Sequence, residues 1–114
     1  MALLNQSDAL GLWYRAMLAQ GRDDDPDLTT RQMAILLTIY LETPPHTVRA
    51  LAEHLGVTKP VITRALDSMG QMGLVARRRD ERDRRSVLIQ RTVEGAEYLE
   101  RLSKLIVNQA KRND

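Results

Sequence analysis

The sequence contains no cysteine, no phenylalanine and only two histidines among its 114 residues. Without cysteine these residues can form neither disulfides nor thiolate metal sites, which is typical of a cytoplasmic protein. One tryptophan and three tyrosines are the only aromatic residues, so the core must consist of Leu, Ile, Val, Met and Ala. The length predicts a single domain with a modest core.

Long uninterrupted apolar runs are also absent. The first stretch, MALLNQSDALGLWYRAML, is rich in apolar side chains, but Gln6 and Asp8 interrupt it and no basic segment precedes it. We therefore expect no signal peptide and no membrane span. The expected location is the cytoplasm.

Catalytic and metal-binding patterns are missing as well. His46, predicted in a loop, and His54, predicted on a helix surface, have no nucleophile or metal-ligand spacing around them. The acidic run at 22–27, RDDDPD, lacks the spaced ligands and distal glutamate of a calcium loop and reads as a solvated connector. We expect neither an enzyme nor a bound cofactor or metal.

Positive charge is concentrated in one segment. Residues 73–91 contain seven arginines and three acids, whereas the whole chain carries a net charge of only +2. Such a cluster is the pattern of an edge that binds a polyanion. The alternative is an ordinary charged hairpin exposed to solvent.

The first two helices are predicted from apolar periodicity. In residues 5–20, Leu10, Trp13 and Met17 form a helical stripe that neighbouring apolar residues widen, so this helix needs cover from more than one side. Thr29 and Gln32 form a capping box that begins the second helix. That helix is apolar all round, which predicts a central buried position, and two prolines at 44–45 end it.

Residues 47–72 have the pattern of two helices joined by a tight turn. An apolar stripe runs from Val48 to Leu55, and Gly56 follows where a left-handed cap needs no Cβ. Thr47 is expected to cap the first helix and Thr58 the second, with Pro60 in the second helix's first turn. The second helix has one apolar and one polar side, which is typical of a helix-turn-helix motif.

Two extended segments follow, joined by a charged loop. Leu74–Arg77 begins the first strand, and residues 86–91 alternate as a second strand that ends in Arg91. Thr92 can cap a last helix of about 20 residues. The far half of this helix carries Ile106, Val107 and Ala110 without an obvious partner in the chain. Together with the apolar first helix, it predicts a second subunit.

The segment LAEHLGVTKPVITRALDSMGQMGLVARRRDERDRRSV, followed by TVEG, resembles the MarR family of bacterial transcriptional regulators. Its most diagnostic part, residues 80–85 (DERDRR), matches the family's wing signature D-x-R-D-x-R. The resemblance implies a mainly α fold with a small antiparallel β wing. We predict a winged helix-turn-helix core at 29–92, flanked by dimerisation helices at 5–20 and 93–112.

A recognition helix in this fold enters the major groove of double-stranded DNA and contacts bases near its N-terminal half. Arg64 is the first candidate for a guanine contact; an ion pair with Asp67 is the alternative, and the two are compatible. Thr63 could touch a thymine methyl group. The complete predicted set on this helix is Thr58, Lys59, Pro60, Thr63, Arg64 and Gln71.

The resemblance also assigns the wing. It implies that Arg82 enters the minor groove, that Asp80 holds this arginine, and that Asp83 pairs with Arg85 or another wing arginine. The family usually has an apolar residue at the position of Arg91. An inward Arg91 would need a partner or would extend along the edge of the strand to reach solvent. The arginines predicted to contact DNA from the wing are Arg77, Arg78, Arg79, Arg82, Arg84 and Arg85.

A dimer would place two recognition helices on a pseudo-palindromic operator. The predicted dimerisation residues are Leu10, Trp13, Met17, Leu102, Leu105 and Ile106. In the family, repression is the commoner behaviour, and a crevice beside the dimerisation helices often binds a small effector. The competing interpretation is a winged helix that binds proteins rather than DNA.

Overall fold

The computed structural model describes residues 4–22, 24–83 and 85–111. Its elements are α1 (Gln6–Arg22), α2 (Thr30–Leu41), β1 (His46–Thr47), α3 (Val48–Leu55), α4 (Lys59–Gln71), β2 (Val75–Arg79), β3 (Val87–Arg91) and α5 (Val93–Lys111). The predicted mainly α architecture with a small antiparallel sheet is confirmed.

The chain divides into two compact units, residues 28–96 and residues 1–27 with 97–114. A single domain stays a prediction. Among the described residues, no helix has both the length and the apolar character needed to cross a bilayer.

The sheet of the 28–96 unit has the order β1-β3-β2, with both pairs antiparallel. β3 is therefore the central strand, and its Ile89 lies opposite His46 on one side and Arg77 on the other. His46 was expected in a loop, and this was wrong: it belongs to β1 and is 6% exposed. The reason is its pairing with Ile89, the buried residue in the middle of β3.

The core of this unit is aliphatic, as the composition requires. Its largest fully buried side chains come mainly from α2, α3 and α4: Ile35, Leu36, Ile39, Leu51, Ile62, Leu66 and Met69. α2 contacts α3, α4 and β3, in keeping with the predicted central position, but it is not buried on every side. Ala34 is exposed and Leu41 is 76% exposed, so α2 buries one face and leaves another open in the single chain.

Local capping explains where the helices begin. Thr29 and Gln32 form the predicted capping box, with bonds of 3.0 and 2.9 Å. Thr47 caps α3 through the Ala50 N–H at 3.1 Å, and Gly56 ends it with φ of 69°. The cap predicted for Thr58 was wrong in its chemistry. Thr58 occupies the N-cap position with extended backbone, but its side chain makes no capping hydrogen bond.

A polar cluster closes the unit where α2, β2 and α5 approach one another. The Tyr40 hydroxyl donates to the Leu74 carbonyl at 2.8 Å and accepts from the Thr92 N–H at 2.9 Å. The Thr92 hydroxyl accepts from the Gly95 N–H at 2.9 Å, which confirms the predicted cap of α5, and donates to the Gly73 carbonyl at 2.7 Å. These bonds fix the base of the β2–β3 hairpin.

The other unit consists of α1 and most of α5. Ala16 and Tyr98 are buried in it, and Gln20 donates to the Tyr98 hydroxyl at 3.0 Å. Burial raises the pKa of Tyr98 above its usual value of 10.0, because the phenolate would be poorly solvated there. Arg101 and Asp25 form a two-pronged ion pair with bonds of 2.8 and 3.0 Å.

The predicted dimerisation residues of this unit are unequally exposed. Leu10, Trp13 and Met17 on α1 are 71%, 61% and 52% exposed. On α5, Ile106 is exposed, whereas Leu102 and Leu105 are only partly accessible. The apolar surface of the single chain is therefore concentrated on α1.

Candidate nucleic-acid interface

The recognition helix α4 is anchored by one face and open on the other. Ile62, Ala65, Leu66 and Met69 are buried in the core, so the rotation of the helix about its axis is fixed. All the residues predicted to contact DNA from this helix are exposed: Thr58, Lys59, Pro60, Thr63, Arg64 and Gln71. The amphipathic period of the sequence thus places the polar side chains on one accessible surface.

Asp67, on the same open side of α4, pairs with the wing rather than with Arg64. Its carboxylate lies 2.7 Å from Nη2 of Arg77, which also donates to the Thr63 carbonyl at 3.2 Å. Among the described ion pairs, the alternative Arg64–Asp67 pair does not occur. Sequence reasoning missed the Arg77–Asp67 pair, because a contact between a helix and a following strand leaves no periodic signal.

The wing is a hairpin of β2 and β3 closed by residues 80–86. Three of its arginines lie on β2, Arg77, Arg78 and Arg79, and two of those described lie in the loop, Arg82 and Arg85; all five are exposed. Arg84, which was also predicted to contact DNA, lies outside the described residues. The described hairpin therefore presents guanidinium groups along β2 and around its loop.

The wing acids brace the loop, but through the backbone rather than through arginine side chains. Asp80 accepts a hydrogen bond from the Arg82 N–H at 2.9 Å, and Asp83 accepts one from the Arg85 N–H at 3.1 Å. Ser86 adds a bond to the Asp83 carboxylate at 3.3 Å. These hydrogen bonds join Asp80 with Arg82 and Asp83 with Arg85, which are partners that the resemblance implies, through backbone N–H groups. In a tight turn, the short side chain of an aspartate lies close to the N–H two residues further on. The end of a long arginine side chain is a less accessible partner for it.

An open cavity of about 360 Å³ lies between the starts of α3 and α4 and the beginning of β3. Three cationic side chains, Arg49, Lys59 and Arg85, line it. Arg49 also pairs with Glu53 at 3.4 Å, but both side chains are more than 70% exposed, and such pairs contribute little. The cavity joins the positive charge of the wing to the N-terminal end of α4.

Two helices joined by a tight turn and followed by an antiparallel hairpin define a winged helix-turn-helix protein. The sequence model of the MarR family matches residues 28–87, more than half of the chain. The chain therefore belongs to the MarR family of winged-helix transcriptional regulators.

Individual relatives agree with this assignment. The organic hydroperoxide resistance transcriptional regulator of Bacillus subtilis (strain 168) is 38% identical over 73 residues, which cover 64% of this chain and 49% of that protein. The chain thus spans about half the length of this curated relative.

Two solved structures of similar proteins contain DNA. A mutant MarR from E. coli, complexed with operator DNA, is 26% identical with a TM-score of 0.69, over 96% of this chain and 72% of that one. Reduced AbfR bound to DNA is 27% identical with a TM-score of 0.66, over 90% of this chain and 70% of that one.

Proposed function

We propose that this chain is a sequence-specific regulator that binds double-stranded DNA, with α4 in the major groove and the β2–β3 wing in the minor groove. One observation carries the proposal: a core-anchored helix with an open polar face is followed, in the same compact unit, by a braced hairpin of exposed arginines. The DNA-bound relatives support DNA as the partner. The activity would take place in the cytoplasm, where bacterial DNA lies.

The residues of α4 divide by the part of DNA that they would contact. Arg64 is assigned to a guanine edge, a contact that discriminates against a wrong base by about 1–3 kcal/mol. Thr63 is assigned to a thymine methyl group. Lys59 and Thr58 lie at the start of the helix, where phosphates are the natural partners. Gln71, at the other end, is assigned to the backbone as well.

The wing residues divide in the same way. Arg82 is assigned to the minor groove, where narrow A·T stretches concentrate negative potential. Arg78, Arg79, Arg84 and Arg85 are assigned to phosphates or groove edges. Each phosphate that a cation neutralises releases counterions, so these arginines should make binding strongly dependent on salt.

We further propose that the protein acts as a homodimer and represses transcription. The exposed apolar face of α1 is the surface that a second subunit would cover, and α5 contributes Leu102, Leu105 and Ile106. Two recognition helices would then read half-sites about 34–36 Å apart, in a pseudo-palindromic operator. A regulator bound across a promoter blocks polymerase. An effector ligand, if the protein takes one, must act without cysteine chemistry in these residues.

Selection of bound duplexes from a random pool tests these assignments together. The expected result is an enriched motif with two inverted half-sites, bound by a species whose light-scattering mass is twice that of the chain. Affinity for the motif should fall steeply across a salt series. Arg22→Ala, which removes an exposed arginine outside the 28–96 unit, is the control and should bind as wild type does. Failure to enrich any motif, or binding insensitive to salt, would favour the protein-binding alternative.

A further inference from the structure

We propose that Arg77 is a positioning residue that joins the wing to the recognition helix and thereby sets the specificity of DNA binding, rather than a phosphate ligand. The inference rests on the proposed function, and it replaces the DNA contact that the sequence predicted for Arg77. Arg77 and Asp67 together form what we call the wing clamp.

The geometry of the wing clamp spans one turn of α4. Nη2 of Arg77 lies 2.7 Å from the Asp67 carboxylate and 3.2 Å from the Thr63 carbonyl oxygen. Residues 63 and 67 are one helical turn apart, so a single guanidinium group contacts acceptors on two successive turns of the helix. Such a two-point contact fixes direction as well as distance, which one exposed ion pair does not.

The position of Arg77 in the sheet makes this contact consequential. Arg77 lies opposite Ile89, the buried residue of β3, whereas Arg79 lies opposite Val87 where the hairpin leaves the sheet. The wing clamp therefore holds β2 at its midpoint, before the strand reaches the loop. A change of angle there is amplified at Arg82, which lies further out along the hairpin.

Charge provides a second argument. Asp67 lies on the open side of α4, with a side chain that is 55% exposed, where an unpaired carboxylate would repel DNA phosphates. Arg77 neutralises it. The Arg77 side chain is 38% exposed, and its guanidinium group already has two protein acceptors, so it is less available to a phosphate than that of Arg79.

The test compares three single variants and one double variant, each measured for its affinity for the selected operator and for random duplex, at several salt concentrations. Arg79→Gln is the matched control, because residues 77 and 79 lie on the same face of the strand and lose the same charge. It should lower both affinities together and reduce the salt slope by about 0.9. Arg77→Gln should instead lower the ratio of operator to random affinity, by about five- to tenfold.

Asp67→Ala, which leaves no side-chain acceptor for Arg77, separates the two roles most sharply. It removes a negative charge from the DNA-facing side of α4. If Arg77 binds a phosphate, the affinities for operator and for random duplex should therefore both rise, and their ratio should not change. The wing clamp predicts a loss of ratio similar to that of Arg77→Gln. The double variant should lose no more than either single one, since the same contact is broken once. Thermal melting of each variant establishes that the comparison is made between folded proteins.

The outcomes are distinguishable. If Arg77→Gln behaves as Arg79→Gln does, or if Asp67→Ala keeps the wild-type ratio, the wing clamp is wrong and the proposed function stands. If the wild-type protein itself binds no duplex in a salt-dependent manner, both proposals are overturned.

Discussion

The guanidinium Nε of Arg91 donates a hydrogen bond of 2.9 Å to the carbonyl oxygen of Ile39. Its Nη2 donates to the Glu42 carbonyl at 3.1 Å, and the group lies 5.9 Å from the centre of the Tyr40 ring. The last carbonyls of a helix have no partners within it, and the helix dipole favours a cation there. Arg91, which the family pattern does not explain, thus binds the end of β3 to the end of α2.

Replacing Arg91 by leucine, an apolar residue of the kind usual in the family, should destabilise the protein. The change leaves two carbonyl groups without their charged donor, a loss of about 1–3 kcal/mol. Urea unfolding followed by circular dichroism measures it. Arg49→Leu is the control, because Arg49 is exposed and has only a surface ion pair; it should change stability by less than about 0.5 kcal/mol. Equal effects of the two changes would contradict a structural role for Arg91.

Gly95 is the glycine whose replacement should be most damaging. A Cβ at this position would collide with the Tyr40 hydroxyl and the Leu74 carbonyl, the groups that close the base of the hairpin. Gly95→Ala should cost about 1–3 kcal/mol, measured by thermal unfolding. Gly21→Ala is the matched control, since nothing lies within 4 Å of its added Cβ. Combining Gly95→Ala with Tyr40→Phe should recover only part of the loss, because the Leu74 carbonyl remains in place.

Replacing Arg64, assigned to the major groove, and replacing Arg82, assigned to the minor groove, should change DNA binding in different ways. Arg64→Ala should relax base preference at one position of each half-site, with a loss of about 1–3 kcal/mol on the best sequence. Arg82→Ala should weaken binding to A·T-flanked sites and reduce the salt slope. Competition binding against a panel of single-base operator variants distinguishes them. Wild-type behaviour of Arg82→Ala on operator and random DNA would remove the minor-groove assignment.

The Asp83 carboxylate should matter as a hydrogen-bond acceptor rather than as a charge. Asn retains an acceptor for the Arg85 N–H, whereas Ala has none. We therefore expect Asp83→Ala to weaken operator binding severalfold and Asp83→Asn to bind at least as tightly as wild type. Fluorescence anisotropy with labelled operator measures both. Glu81→Gln, in the same loop and exposed, controls for the loss of one acid. Similar weakening by Ala and Asn would mean that the charge is what counts.

Stability should fall at alkaline pH because of Tyr98. Burial raises its pKa in the folded protein above 10.0, so the folded state holds the phenolic proton longer than the unfolded chain does. The unfolded state binds fewer protons from about pH 10 upward, and the free energy of unfolding decreases there. Tyr98→Phe should show a weaker decrease than wild type in parallel urea titrations at pH 8 and above. Identical pH profiles would show that other groups cause the loss.

Local rules explain which parts of the structure could be predicted from sequence. The capping box at Thr29 and the left-handed Gly56 depend on residues within one turn, so their patterns are visible in the chain. The open face of α4 follows from helical period alone. From these local features, the fold and the exposed residues of α4 could be predicted.

The remaining features depend on contacts between distant residues. Arg91 and Ile39 are 52 positions apart, and neither shows any pattern that would pair them. The partner of Asp67 could equally have been Arg64 by spacing, and only the packing of β2 against α4 selects Arg77. The burial of His46 likewise depends on the register of β1 with β3.

The open apolar face of α1 has a consequence for gene control. In the proposed dimer, two chains cover that face before both recognition helices contact DNA. If this dimerisation is weak at cellular concentrations, the amount of dimer varies with the square of the chain concentration. Operator occupancy then responds steeply to synthesis and dilution of the protein, with no ligand involved. A gene repressed in this way would become active when cells grow and divide faster than the regulator is made.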